Sequence, residues 1–250
     1  MQTVVSKLRE PVCILGGWAV SLRVGENFRR EHGRDYLGSR DIDLGFHIKK
    51  DWSLVELKGS DLAFAIDTLN EMGFEPLSFR FMKHFHTETL QELNEDNVKK
   101  TPAYNVFDLF IDPVVDCIHP KFGEIFGFAP IDEPLLEHVF VGQKRSIMEL
   151  FGRRVLVPFS EVLLATKLRS VVHRDKEHKR IKDIADIYAL SWYSDVGLAS
   201  LKSSLKPIMP PEETQKVIGT FTKEDLNAAS NALDMEIVQV KRVLSELESG

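Results

Sequence analysis

The sequence predicts an α+β protein in which a mixed β-sheet domain, residues 1–157, precedes a helical domain, residues 158–250. Two observations lead to this prediction. In the first part, short runs of β-branched and aromatic residues alternate with segments of helical spacing. After Pro158, apolar residues recur only at helical spacing. Mixed strands and helices followed by helices alone are typical of α+β folds rather than of a doubly wound sheet.

The strands and helices of the first domain are predicted from residue composition and from the spacing of apolar residues. Strands are predicted where β-branched and aromatic residues cluster, at 12–15, 41–48, 79–85, 104–111, 138–141 and 153–158. Helices are predicted at 17–24 and 61–74, where apolar residues fall on one face. Turn-forming residues dominate 112–134, and residues 25–38 are expected to form a loop insertion that contains Arg29, Arg30 and Arg34.

The second domain is expected to be entirely helical. Helices are predicted at 160–172, 179–193, 211–221 and 223–248. No functional motif is found in residues 195–250. Residues 169–182 are rich in Lys and Arg, a pattern that suits either phosphate binding or a solvated helix connection.

Composition narrows the class of protein. The chain has 250 residues, a formal net charge of −6 and only two cysteines, Cys13 and Cys117. Two cysteines exclude a disulfide framework and favour a reducing compartment, so a cytoplasmic location is expected. No apolar run approaches the roughly 20 residues that span a bilayer, so no membrane association is expected. The acidic balance argues against a general nucleic-acid coat.

The motif Ser39-Arg40-Asp41-Ile42-Asp43 carries the strongest chemical signal. On a strand, Asp41 and Asp43 project from the same face with Cα atoms about 6.5–7 Å apart. Two carboxylates so placed repel each other unless water or a cation neutralises them. Oxygen ligands of this kind suit Mg²⁺, which retains positions for water and substrate phosphates. The alternative is an exposed strand with two solvated acids.

Two further features suit the same chemistry. Gly16-Gly17 follows a predicted strand and begins a helix, where backbone N–H groups can hold a phosphate. An ordinary strand-to-helix turn would look the same. Asp108 lies within a predicted strand between apolar residues and is a candidate third carboxylate. Asp112 shares its face, but Pro113 follows it, so a turn role is the simpler interpretation. Asp116 ranks below both.

This order of motifs resembles the nucleotidyltransferases of the DNA polymerase β superfamily. The resemblance implies a polymerase β-like catalytic domain in which Asp41, Asp43 and Asp108 bind two Mg²⁺ ions with the NTP. By the same resemblance, Gly16 and Gly17 hold the phosphates. Ser39 and Arg40 are assigned to nucleotide binding. The implied reaction moves NMP from an NTP to an acceptor hydroxyl, with two ions stabilising the attacking and leaving oxygens.

The segments 155–170 and 179–190 resemble the C-terminal motifs of the abortive-infection group, the toxins of type IV toxin–antitoxin pairs. This resemblance assigns nucleotide binding to Lys167, Lys182, Asp183 and Asp186. It also implies an RNA acceptor, most directly the 3′ end of tRNA, and a cognate antitoxin as partner. A small hydroxylated molecule or a protein side chain stays open as acceptor. A catalytically inactive nucleotide-binding protein that acts through a protein partner is the alternative.

Two histidines, His84 and His86, fall on one face of a predicted strand. They form a conceivable zinc pair, but no third ligand with recognisable spacing accompanies them. Surface or hydrogen-bonded core histidines are the favoured interpretation.

Overall fold

The structure is a computed structural model and describes residues 1–249, which form an α+β fold. Nine strands in this part of the chain make one mixed sheet. They are β1 (Val12–Ile14), β2 (Asp41–Phe46), β3 (Glu75–Leu77), β4 (Arg80–His86), β5 (Glu92–Leu93), β6 (Val106–Val115), β7 (Ile131–Asp132), β8 (Arg145–Leu150) and β9 (Arg153–Pro158). The predicted mixed sheet is therefore confirmed.

The strand order is β3-β4-β6-β2-β1-β9-β8, with β5 added beside β4 and β7 beside β6. β2 runs parallel to β6, and β1 runs parallel to β9. β4 is antiparallel to β6, and β1 is antiparallel to β2. The motif strand β2 therefore has neighbours on both sides, with β6 as its parallel partner.

Helices make up most of the remaining regular structure. They are α1 (Gln2–Val5), α2 (Gly16–His32), α3 (Leu54–Lys58), α4 (Asp61–Glu71), α5 (Glu95–Lys100), α6 (Phe122–Phe126), α7 (Leu136–Phe140), α8 (Ser160–Val171), α9 (Glu177–Tyr193), α10 (Leu198–Leu205), α11 (Pro211–Ile218), α12 (Lys223–Leu233) and α13 (Ile237–Glu248). Every element described beyond Pro158 is a helix. No helix among the described residues is both long and apolar enough to cross a membrane.

The expected loop at residues 25–38 is wrong over its first half, because α2 continues to His32. Val24 and Phe28 are both buried and lie one helical turn apart, so they extend the apolar face of the helix. The helix ends at Gly33, whose φ of 67° is left-handed and favours glycine. Gly25 therefore lies inside the helix and not at the start of a loop.

Three other predicted elements differ from the structure. The helix predicted at 223–248 is divided into α12 and α13, because Asp234, with a left-handed φ of 52°, ends α12. Residues 138–141 were expected as a strand but belong largely to α7, because a short apolar run does not distinguish a strand from one helical turn. The expected loop at 112–134 begins too early, since β6 continues to Val115 through Pro113. Its remainder includes α6 and β7. Strands β3, β5 and β8 and helices α1, α3, α5 and α10 were not predicted.

The chain divides into two compact units. The first contains residues 1–14, 39–137 and 147–156, and the second contains residues 15–38, 138–146 and the chain from Val157 onward. The first unit therefore holds β2, β4 and β6, whereas the second holds α2, α8 and α9. The domain division at residues 157 and 158 stays a prediction.

Candidate functional site

In the first unit, one face of the sheet brings acidic side chains from β2 and β6 together. The parallel register pairs Asp41 with Phe110 and Asp43 with Asp112. Paired residues on neighbouring strands project from the same face, and the strands are about 4.8 Å apart. The opposite face is apolar, and its Ile42 is buried in the core. Asp41, Asp43 and Asp112 form what we call the carboxylate cluster.

Arg80, at the start of β4, is the cation of this cluster. Its Nη2 donates to Asp112 Oδ2 at 2.6 Å and lies 3.7 Å from Asp41 Oδ2. The guanidinium also lies 4.4 Å from the ring centroid of Phe110 and 4.9 Å from that of Phe79. The side chain of Arg80 is only 16% exposed and that of Asp112 only 5%. Arg80 is therefore a largely buried cation that links carboxylates of two strands.

Asp112 is thus part of the strand and not of a turn, contrary to the simpler interpretation of its sequence context. Proline lacks a donor, but the register of β6 with β4 ends at Ile111, so Pro113 lies beyond that ladder and has Leu44 as its register partner on β2. The side chain of Asp112 is buried and salt-bridged to Arg80. A turn residue would instead be expected at the surface.

Asp108, the predicted third carboxylate, lies further toward the start of β6. Its cross-strand partner is His84 of β4, and His84 Nδ1 is 2.7 Å from Asp108 Oδ1. The pair is more open to solvent than Arg80 and Asp112, with 43% of the Asp108 side chain exposed. The structure therefore pairs Asp108 with a histidine and places Asp112, not Asp108, directly beside Asp43.

Ser39 and Arg40 precede the cluster in the chain. The Ser39 hydroxyl donates to the backbone carbonyl of Asp41 at 3.1 Å, which fixes the entry to β2. Arg40 is exposed. The structure thus keeps both residues next to Asp41, with Ser39 supporting the turn.

Asp116, the lowest-ranked acidic candidate, directly follows β6 and lies at the far end of β2 and β6. Its Oδ1 accepts from the Ile48 backbone N–H at 2.8 Å, and its Oδ2 is hydrogen-bonded to His47 Nδ1. Asp116 is buried. Through these contacts Asp116 supports the local backbone, which explains why this carboxylate is buried.

The cluster suits a hard divalent cation only in part. Within residues 1–249, no group of three or more His, Cys, Asp and Glu side chains is arranged to hold a metal ion. Asp41 and Asp43 supply carboxylate oxygens, and Mg²⁺ commonly takes only one or two protein carboxylates together with substrate phosphates. Arg80 already engages the neighbouring Asp112. Of the cluster, Asp41 and Asp43 are therefore the residues that could hold such an ion.

Gly16 and Gly17 belong to the second unit, where they begin α2. Gly16 has a φ of 57°, a left-handed conformation that side chains disfavour. The predicted strand-to-helix turn is therefore confirmed at this point. The N-terminus of a helix carries a partial positive charge that favours anions.

The other predicted residues of the second unit form one buried ion network. Lys167 of α8 donates from Nζ to Asp183 Oδ1 at 2.6 Å and lies 2.7 Å from Asp186 Oδ2. Lys182 also donates to Asp186. The remaining members of the network are Arg174 at 2.5 Å and Ser170 at 3.1 Å from Asp183 Oδ2, and Tyr36, whose hydroxyl donates to Asp186 Oδ1 at 2.6 Å.

The protonation states of the network follow from its geometry. Burial alone would disfavour the charge on Lys167, but Asp186 and Asp183 outweigh it and raise its pKa. Burial likewise opposes ionisation of both aspartates, yet Lys167 and the other donors lower their pKa values. Burial, reinforced by Asp186, raises the pKa of Tyr36 well above its ordinary value. Lys167, Asp183 and Asp186 are therefore charged, whereas Tyr36 is a neutral donor.

Arg80 and Tyr36 are among the participants that sequence reasoning missed. Arg80 is the first residue of β4, and its ion-pair partners lie on β2 and β6. Tyr36 lies in a segment interpreted as a loop, 150 positions from Asp186. The only available signal for Arg80 was its position on the same alternating face as His84, two positions from Met82.

Comparison with known proteins gives little further information. No protein-family model matches the sequence, and no curated protein is significantly similar to it. Among solved structures, the chain is similar to an antigenic nucleotidyltransferase-like protein from Paracoccidioides brasiliensis. The TM-score is 0.41 and the identity 16%, over 94% of this chain and 89% of that chain. Both values are low, so the likeness transfers no residue role to this chain.

Proposed function

We propose that the protein is an Mg²⁺-dependent nucleotidyltransferase with a polymerase β-like catalytic domain. It moves NMP from an NTP to an acceptor hydroxyl. The observation that carries the proposal is the projection of Asp41 and Asp43 from one face of β2, beside Asp112 of β6. Carboxylates that project from one sheet face on two adjacent strands repel one another unless cations neutralise them, and Arg80 supplies one such cation. Nucleotide phosphates with Mg²⁺ are a natural partner for such a face.

In the proposed reaction, the acceptor oxygen forms a bond to the α-phosphorus of the NTP. The bond between that phosphorus and the oxygen bridging to the β-phosphate breaks, and pyrophosphate leaves with the electron pair. The acceptor proton passes to a carboxylate of the cluster. Mg²⁺, when bound, neutralises charge on the phosphate oxygens. Asp41 and Asp43 hold the ion, and Asp112 replaces Asp108 as the third carboxylate in this proposal.

By the resemblance, we also propose nucleotide binding for residues of the second unit. The helix start at Gly16-Gly17 suits a phosphate, because N–H groups and the helix dipole favour anions there. Lys167 is proposed to contact the nucleotide, with Asp183 and Asp186 holding its ammonium group in place through the contacts already described. Lys182 is likewise proposed to contact the nucleotide, with Asp186 holding its ammonium group. The two aspartates therefore act as positioning residues in this proposal.

RNA is the acceptor to test first, with the 3′ end of tRNA implied by the resemblance to the toxin group. The test incubates the protein with each α-labelled NTP, Mg²⁺ and total cellular RNA, followed by a denaturing gel. A labelled band of tRNA size that disappears in Asp43→Asn supports the proposal. Asp67→Asn, at an exposed helical position, is the matched control and should label RNA normally.

The absence of labelled RNA, with Mg²⁺-dependent NTP binding by calorimetry, would instead favour a small molecule or protein acceptor. The second candidate function is nucleotide binding without transfer, through a protein partner such as an antitoxin. The salt bridge of Arg80 with Asp112 favours it, because a carboxylate held by a guanidinium is a poorer metal ligand. NTP binding without label on RNA, protein or small molecules would support that candidate.

A further inference from the structure

Two histidines of β4 extend the carboxylate face of the sheet away from the cluster. Side chains alternate along a strand, so His84 and His86 project from the same face as Arg80. Their register partners on β6 are Asp108 and Val106. Residues two apart on a strand have Cα atoms about 6.5–7 Å apart. The two imidazole rings are therefore neighbours on one face.

Each ring is held through its Nδ1 atom. His84 Nδ1 is 2.7 Å from Asp108 Oδ1, and a carboxylate only accepts, so Nδ1 donates and Nε2 of the neutral ring has a lone pair. His86 Nδ1 accepts from the backbone N–H groups of Glu88 and Thr89 at 3.3 and 3.4 Å. The proton of the neutral His86 ring is therefore on Nε2. The pair presents one acceptor and one donor.

Both Nε2 atoms are available to a ligand. In the part of the chain that the structure describes, neither atom has a hydrogen-bond partner, and neither is among the buried polar atoms that lack one. Solvent therefore reaches both. The backbone beneath them is fixed, because His86 donates to the Gln91 carbonyl at 2.8 Å and His84 has the register partner Leu93 on β5.

The combination of an acceptor and a donor selects the ligand. Phosphate oxygens only accept and ammonium groups only donate, so each would match one of the two neutral rings. A hydroxyl group does both. The 2′-hydroxyl of ribose is the group by which a protein distinguishes RNA from DNA at a given site. The histidine pair therefore matches the group that separates these two nucleic acids.

We infer that His84 and His86 form a subsite for a ribose 2′-hydroxyl of an RNA acceptor. His84 Nε2 accepts a hydrogen bond from the hydroxyl, and His86 Nε2 donates one to it. Asp108 is a positioning residue that orients the His84 ring. Met82 and Phe110, which pair across β4 and β6, separate this subsite from Arg80 and the carboxylates. The choice of RNA rests on the proposed function, but the preference for ribose is measurable by binding alone.

The first test compares an RNA oligonucleotide with the DNA oligonucleotide of the same sequence, made of A, C and G only. Fluorescence anisotropy measures binding of each to the full-length protein without NTP or Mg²⁺. The wild type should bind RNA about tenfold more tightly, the ratio that corresponds to about 1.4 kcal/mol. Equal binding of the two oligonucleotides, or binding of neither, would overturn the inference.

Variants of His86 assign the preference to the pair. His86→Leu removes the donor and should bring the RNA-to-DNA ratio of affinities to within about twofold of unity. His86→Gln retains an N–H donor and should keep the ratio within about threefold of the wild type. His138→Leu, at a half-buried position of α7, is the matched control and should keep the wild-type ratio. An unchanged ratio in His86→Leu would overturn the inference.

Labelling with α-labelled NTP and Mg²⁺ distinguishes failure of the subsite from failure of the proposed function. His86→Leu should raise KM for RNA about tenfold and keep kcat within about threefold, because the ring does not contact the reacting atoms. Label on RNA and DNA with equal KM would overturn the subsite and leave nucleotidyl transfer intact. A preference for RNA in binding, without label on RNA, would support the subsite and contradict transfer to RNA.

Discussion

Asp43 of β2 is the parallel register partner of Asp112 of β6, so two carboxylates from distant parts of the chain project side by side from one face of the sheet. Asp41 lies on the same face of β2, and Arg80 links it to Asp112. The proposed nucleotidyl transfer depends on this arrangement. Its first consequence is that Asp112 should matter more for activity than Asp108.

Asp112→Asn should lower kcat for NMP transfer by about 10²–10³-fold, the size typical of losing one group that stabilises the transition state. The variant also frees Arg80 to move onto Asp41. Asp108→Asn, the matched control on the same strand, should lose less than about tenfold, because Asp108 is paired with His84 at the open end of β6. Steady-state kinetics measure both. A larger loss in Asp108→Asn than in Asp112→Asn would contradict the assignment.

Lys167→Met should destabilise the protein by about 3–5 kcal/mol, because it leaves Asp183 and Asp186 buried without their main cation. Lys206→Met, at an exposed position, is the control and should change the free energy of unfolding by less than about 0.5 kcal/mol. Urea unfolding followed by circular dichroism measures both values. Equal stability of the two variants would mean that the buried ion network contributes nothing.

The same network predicts how stability depends on pH. The pKa values of Asp183 and Asp186 in the folded protein lie below their ordinary value of 3.8, since Lys167 and the other donors outweigh burial. A lowered pKa contributes stability that is present above the unfolded value and lost as pH falls through the folded value. The free energy of unfolding should therefore fall as the pH drops below about 4, as ionised carboxylates become protonated.

The double variant Asp183→Asn with Asp186→Asn lacks these two titrating groups. Its free energy of unfolding, measured by urea titration at several pH values, should fall less steeply in acid than that of the wild type. An identical slope for the two proteins would show that other carboxylates determine the acid response.

Two glycines test the corrected length of α2. Gly25→Ala should raise the free energy of unfolding by about 0.5–1 kcal/mol, because alanine is favoured inside a helix. The added Cβ would meet only Ser21 Oγ at an ordinary 3.9 Å. Gly33→Ala should lower the free energy of unfolding by about 1 kcal/mol, because residue 33 has a φ of 67°, which alanine disfavours. Thermal unfolding measures both, and a loss in Gly25→Ala would contradict a helix through residue 32.

The sequence was sufficient for the parts of the fold that depend on local pattern. The alternation in β2 predicted that Asp41 and Asp43 share a face, and the register confirms that arrangement. The apolar period of α4 predicted its buried face, including Leu62 and Leu69. In both cases the period of one segment determines which side chains point inward.

Sequence reasoning failed where the outcome depends on which strands pair. Asp112 precedes a proline and was interpreted as a turn residue, yet pairing of β6 with β2 carries the strand through Pro113. The role of Arg80 follows from the order β4-β6-β2, which no local pattern encodes. Helix α2 was underestimated because three glycines in residues 25–38 suggested a loop, although Val24 and Phe28 continue its buried face.

The measurement that tests nucleotidyl transfer most directly compares two labels of the same NTP. With protein, Mg²⁺ and cellular RNA, the α-label should become attached to the acceptor, while the γ-label should be released as pyrophosphate. Both signals should be absent in Asp43→Asn, whose Tm should stay close to that of the wild type. Transfer of the γ-label to an acceptor, or equal transfer of the α-label by Asp43→Asn, would contradict the account.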